Sequence, residues 1–242
     1  MARSVFLLLL LSVMAVGCAS TQQLSNHPSD PWESFNRGVY SFNDALDRAF
    51  LVPAATGYRA VAPEIVERCV SNFLSNIDDI GIAFNNTLQF KFAEATSDVA
   101  RIIINSSIGV AGIFDVASDI GLRKHDEDFG QTLGYWGIGT GPYVMFPLLG
   151  PGNLRDSPGK VVDIFLWPPT WAGIDTSGRN DLFALDIVST RAELAQLEEK
   201  AKAFSHDRYV FIRDAYLDRR EFLVNDGEIH VDDDLYKDLE DE

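Results

Sequence analysis

Cysteine is almost missing from this chain: 242 residues hold only Cys18 and Cys69. With Cys18 committed to an N-terminal role, no internal disulfide can form, and no paired-thiolate metal site exists. Basic residues are also scarce, 20 Lys and Arg against 36 Asp and Glu, for a net charge of −16. This balance leaves no basic surface to displace counterions from phosphates, which argues against nucleic acid as a partner. The four histidines, His27, His125, His206 and His230, lack partners at metal-ligand spacing. No H-E-x-x-H and no G-x-S-x-G occurs, so the common metalloprotease and serine-hydrolase arrangements have no residues to build on. Sustained two-residue alternation is absent, which argues against a β architecture, and no internal repeat of useful period is found.

A spanning apolar run is missing as well. Val5 to Val16 is apolar apart from Ser12 and follows the short positive region Met1-Ala2-Arg3. It is too short for a stable bilayer span and reads as a secretory signal. Ala15-Val16-Gly17-Cys18 then looks like a bacterial lipobox, with Cys18 the acylated first residue of the mature chain. Several acyl chains anchor firmly, at about 0.8 kcal/mol per buried CH₂. Ala19-Ser20 lacks the aspartate that often keeps such lipoproteins in the inner membrane, so the outer membrane is the expected destination. Residues 18–29 form a polar tether that reaches at most about 35 Å. About 225 residues remain after cleavage, enough for one domain with a real core.

The most distinctive segment is Gly130–Leu154, uncharged, with seven glycines and three prolines, Pro142, Pro147 and Pro151. It is apolar enough to meet lipid, but its breakers rule out a spanning helix. Irregular backbone at membrane depth survives only against protein or a cavity. The segment therefore reads as a bent hydrophobic loop at a lipid–protein boundary. Gly137-Ile138-Gly139-Thr140-Gly141 superficially resembles a nucleotide loop, but Pro142 follows at once and no strand–turn–helix context surrounds it.

Elsewhere the spacing predicts helices. Asp30-Pro31-Trp32-Glu33 reads as a start, with Asp30 as cap, Pro31 at the first position and Glu33 closing a capping box. Phe35, Val39, Phe42, Leu46 and Phe50 then form one stripe, bordered by the Phe35-Asn36 and Phe42-Asn43 pairs seven residues apart. Further helices are predicted over 63–75, 76–88, 92–106 (with Val99, Ile102, Ile103 and Ile104), 159–166, 181–204 and 207–224, with a short amphipathic piece at 112–120. Cys69 lies among Ile65, Val66, Val70 and Phe73 at helical spacing and is expected as a buried small hydrophobe. Trp136, Trp167 and Trp171 suit a membrane–water interface. His125-Asp126-Glu127-Asp128 is the best remaining candidate for a metal or hydrolase site, but four polar residues before a glycine more often make a solvated loop or helix cap. The reading is a mainly α, non-enzymatic protein. Residues 225–242, with nine acidic residues and one lysine, read as a solvated, disordered tail.

Three stretches carry a family resemblance: DPWESFNRGVYSFND (Asp30–Asp44), EDFGQTLGYWGIGTGPYVMFPLLGPGNLRDSPG (Glu127–Gly159) and RYVFIRDAYLDRR (Arg208–Arg220). In this order they resemble the MlaA (VacJ) lipoproteins of Gram-negative outer membranes, over nearly all of the mature chain. The resemblance implies a single ring-like helical domain over 30–224, embedded in the outer membrane, with a glycine-rich apolar hairpin loop and a central amphipathic channel. It implies removal of mislocalised phospholipids from the outer leaflet and their transfer to the periplasmic carrier MlaC. It also implies association with outer-membrane porin trimers and no cofactor. On this analogy Gly137, Gly139, Gly141, Pro142, Tyr143, Met145 and Phe146 form the gating loop beside the lipid path. Phe35, Asn36, Phe42 and Asn43 belong to the helix that restrains it. The competing readings are a porin-associated structural lipoprotein with no channel of its own, and a lipid hydrolase.

Overall fold

A computed structural model describes residues 27–201 and 207–228, the side chains of 196–201 aside. The signal segment, Cys18, most of the tether and the acidic tail beyond Glu228 lie outside the described residues. The order is α1 (Glu33–Leu46), a π-helical turn (Asp47–Leu51), α2 (Val52–Val61), α3 (Glu64–Leu88), α4 (Phe92–Ser107) and α5 (Val116–Asp119). Then follow α6 (Phe129–Tyr135), β1 (Tyr143–Phe146), β2 (Gly150–Asn153), α7 (Asp156–Leu166), a 3₁₀ turn (Pro168–Thr170), α8 (Thr176–Ala201) and α9 (Arg208–Val224). The fold is mainly α.

Several boundaries depart from the sequence reading. The two helices expected over 63–75 and 76–88 are one rod of 25 residues, about 37 Å long, because nothing at Ser75-Asn76 breaks the ladder. Asp30 does not cap α1. Its carboxylate is buried and accepts hydrogen bonds from the Asn36 amide at 2.8 Å and the Tyr209 hydroxyl at 2.5 Å. The helix therefore opens two residues past Pro31, at Glu33, without a side-chain cap. Asp207 does cap α9, accepting from the backbone of Tyr209 and Val210. The helical path from Glu33 to Val61 contains Pro53, which has no N–H for the preceding turn and crowds its carbonyl. The turn before it, Asp47–Leu51, is π-helical.

The elements form a closed circuit. α1 touches β1, β1 pairs with β2, β2 packs on α7, and α7 lies against α6 and α3. α3 meets α8, α8 meets α2, and the π turn returns the chain to α1. α9 lies on α6 and β2, while α4 packs along α3 and α5 packs on α4.

The partition of polar and apolar side chains is inverted. Among the described residues 19 polar or charged residues are buried against 11 apolar ones, and five of those 11 are alanine. Large apolar side chains stand outside instead, including Phe35, Phe42, Phe50, Phe92, Val99, Ile103 and Trp171. Along α4 the buried stripe is Ala95, Asp98, Arg101 and Asn105, while Val99 and Ile103 are exposed. The apolar stripe marks this helix correctly, but it faces out. Cys69 is only half-buried, with Ile65 and Val66 exposed beside it, so it does not belong to a core. No described helix is long and apolar enough to cross a membrane.

Ion pairs hold the interior. Arg101 reaches Asp115 at 3.1 Å and Asp79 at 3.5 Å, and Lys124 also pairs with Asp79. Arg220 bridges Asp128 and Asp156, the latter at 2.7 Å, tying α9 to α6 and α7. Breaking such a pair by removing one partner costs about 3–5 kcal/mol, because a buried charge is left behind.

Candidate functional site

The glycine-rich segment Gly130–Leu154 is resolved into three pieces: most of α6, an irregular stretch through Pro142, and an antiparallel hairpin. The hairpin register pairs Tyr143 with Asn153 and Phe146 with Gly150. Pro151 has no N–H to give, and it stands opposite Met145. The Met145 N–H points the other way and donates to Asn36 Oδ1 at 2.9 Å. The Asn36 amide in turn donates to the Tyr143 carbonyl at 3.2 Å. Asn43 repeats the arrangement at the hairpin end: its amide donates to the Phe146 carbonyl, and its Oδ1 accepts from the Leu148 N–H, both at 2.9 Å.

Two asparagines thus act as a surrogate third strand. Their spacing explains why this works. Seven helical residues advance about 10.5 Å, and the three-residue step along β1 from the Tyr143 carbonyl to the Phe146 carbonyl advances about 10 Å. Helix and strand are therefore in register at both amides. Phe35 and Phe42, one position before each asparagine, are exposed.

The remaining loop residues fall into distinct environments. Tyr143 and Met145 are fully buried with Val39 and Tyr209, so they do not meet the exterior as an apolar lipid-facing loop would require. Alternation along β1 sends these two side chains inward. Pro142 accepts from the Leu154 N–H, and Phe146 is half-buried. The most exposed apolar side chains are at the tip, where Leu148 and Leu149 are 76% and 62% exposed, with Ile138 and Leu154 also exposed in the same segment. Leu148 has φ +67°, a strained left-handed conformation held by the Asn43 bond. Gly141 also sits at positive φ, and an added Cβ there would lie 3.0 Å from Leu154 Cβ. Gly137 and Gly139 border open space.

Beside the hairpin circuit two cavities meet. One, of about 280 Å³, lies between α3, residues 124–128 and α7. The other, of about 330 Å³, lies between α7 and α8. Asp78, Asp163 and Trp167 line both. Burial pushes the Asp163 carboxyl up to about 6, with the charge of Asp128 adding to it. Burial and the neighbouring Asp186 raise Asp78 to about 6 as well. Lys124 and Arg179 supply positive charge to the same walls. The two cavities thus combine carboxylates and cations with an apolar lining that includes Ile82, Ile164, Leu166 and Phe183.

His125-Asp126-Glu127-Asp128 does not assemble as a metal site. His125 Nδ1 lies 2.6 Å from Asp98, Glu127 pairs with Lys91, Asp126 with Arg219, and Asp128 caps α6 while holding Arg220. No cluster of three candidate metal ligands occurs among the described residues. Trp136 and Trp171 are exposed, and Trp167 is half-buried at the junction of the two cavities.

A profile for the MlaA lipoproteins matches residues 28–223. This chain belongs to the MlaA lipoprotein family. The Intermembrane phospholipid transport system lipoprotein MlaA of Escherichia coli K12 is 33% identical over 222 residues, spanning 90% of this chain and 87% of that protein. Its counterpart from Haemophilus influenzae is 28% identical and spans 98% and 99%. A solved structure reported as "Structural basis for maintenance of bacterial outer membrane lipid asymmetry" superposes with a TM-score of 0.70 at 31% identity, covering 81% of this chain and 99% of that one.

For an MlaA-family chain, the sequence reading pointed to the hairpin and its asparagines but missed Asp78, Asp163, Asp186 and Arg179 on the cavity walls. A weak signal existed. Asp163 and Asp186 interrupt otherwise apolar helical stretches, a pattern that costs stability unless the carboxylate faces a polar space.

Proposed function

We propose that the protein is an acylated outer-membrane lipoprotein, facing the periplasm, that removes mislocalised phospholipid from the outer leaflet and passes it to a periplasmic carrier of the MlaC kind. The observation that carries this reading is the inverted partition: an apolar exterior around an interior of carboxylates, amides and guanidinium groups. A phospholipid needs both environments, polar for its head group and apolar for its chains. Trp167, at the junction of the two cavities, marks the head-group route. The hairpin held by Asn36 and Asn43 is the gate. Cys18 is the acylation site, and porin trimers are the membrane partners.

A photoreactive residue at position 167 tests the route in cells carrying labelled phospholipid. The expected result is phospholipid crosslinked at 167 as well as at the exposed position 148. Crosslinking at 148 alone would overturn the interior route and favour a structural lipoprotein that only scaffolds porins.

A further inference from the structure

A third cavity, of about 740 Å³, lies apart from the carboxylate-lined route, between the π turn, α2, α8 and the start of α9. Its charged lining is unlike the rest of this acidic protein. Arg48, Arg59, Arg191 and Arg208 face it with only Asp44 and Asp47 among the described residues. The cations are all arginines, whose planar forks match phosphate oxygens two at a time.

The local structure explains how the space is kept open. The floor is Val52, Ala55, Thr56, Ala60 and Ala195, side chains too small to fill it. Ala55 and Ala192 are both buried where α2 packs on α8, so backbone approach sets the depth. The π-helical turn places Asp47 and Arg48 on one wall. Such turns are rare and recur at functional sites.

The two carboxylates play different parts, Asp47 as an anchor and Asp44 as a competitor for the guanidinium groups. Asp47 takes Arg191 in a two-point contact at 2.7 and 3.0 Å. Asp44 takes Arg48 and stands 3.7 Å from Arg208. Arg59 makes no hydrogen bond or ion pair with the described residues. Arg191 is therefore held on the wall, exposed Arg48 and Arg208 stand near Asp44, and Arg59 lines the same space.

We infer that this cavity binds the phosphate of an amphiphile, a lipid head group whose first ester carbons rest on the small-residue floor. The inference rests on the lipid-handling reading, and it adds a second station chemically opposite to the carboxylate-lined route. Concavity and an apolar floor favour a phosphate amphiphile over an acidic protein, which would need a protruding surface.

The test uses the full-length protein in detergent and three probes: short-chain phosphatidylglycerol, the matching diacylglycerol and inorganic phosphate. Wild type should bind the phospholipid and not the diacylglycerol. Arg59→Ser should weaken phospholipid binding roughly tenfold, as expected for one charge-assisted phosphate contact, while Arg59→Lys loses less. Asp44→Asn, which removes a competing carboxylate, should tighten it. If inorganic phosphate binds as well as the lipid and blocks it, the site is a phosphate site supplied from solution, and the lipid assignment falls. If all three variants bind phospholipid as wild type does, while position 167 still crosslinks lipid, this site is wrong and the transport reading stands. If wild type neither binds phospholipid nor crosslinks it at 167, both fall.

Discussion

Removing the Asn36 side chain would strand three groups together: the Met145 N–H, the Tyr143 carbonyl and one oxygen of buried Asp30. Each unsatisfied buried group costs about 1–3 kcal/mol. Asn36→Ala should therefore lower stability by roughly 3 kcal/mol or more, read as a large fall in Tm in detergent. Asn43 is only half-buried, so Asn43→Ala should cost roughly 1 kcal/mol and chiefly free the hairpin tip. Equal losses from the two would contradict this division of labour. Asp163 has the opposite character. Its folded carboxyl titrates near 6, above the unfolded value of about 3.9. Its contribution to stability is full below about pH 4 and is lost as pH rises through 6. Asp163→Asn can still accept from the Phe129 N–H, and it should reduce the fall in Tm across that window. An unchanged pH profile would refute the assignment. The asparagine spacing was visible in the sequence, because a seven-residue repeat is a local property. The titration of Asp163 was not, since it depends on α6 and α7 meeting in space.

At the scale of elements, α6 and α7 meet through glycine. A Cβ on Gly159 would lie 2.7 Å from the Gly130 backbone nitrogen. Backbone cannot yield as a side-chain end can, so Gly159→Ala should cost about 1–3 kcal/mol, whereas Gly139→Ala, which meets nothing, should stay within about 0.5. Thermal melts of the pair separate contact from mere glycine content. Tyr143 and Met145 are buried, so the most exposed apolar side chains of the hairpin are Leu148 and Leu149 at its tip. Leu149→Glu should ease extraction by mild detergent while leaving Tm near wild type, and unchanged extraction would count against a lipid-facing tip. Helix positions were largely legible because apolar periodicity reports a face. Which medium that face meets is not encoded in the period: Val99 and Ile103 would repeat identically against a core or against lipid. The π turn was illegible for another reason. Pro53 announces a disturbance, but whether the chain ends, kinks or widens depends on the packing of α2 against α8.

Across the whole molecule, the inverted partition makes charged pairs the main specific links between elements. Arg220 joins α9 to both α6 and α7, and Arg213 joins α9 to Asp30. Composition concealed this, because average hydrophobicity is indifferent to which residues face inward. The described chain closes with Gly227 at positive φ, donating to Phe222, and with Asp226 paired to Lys91. Truncation after Glu228 keeps these contacts and should leave Tm unchanged; a large drop would mean that the acidic segment beyond is part of the folded body. The most direct test of the account is the level of phospholipid in the outer leaflet of cells lacking the protein, compared with cells carrying wild type or Cys18→Ser. Accumulation at the surface, reversed by wild type and not by Cys18→Ser, is the predicted result. Unchanged surface phospholipid in the deleted cells would contradict it.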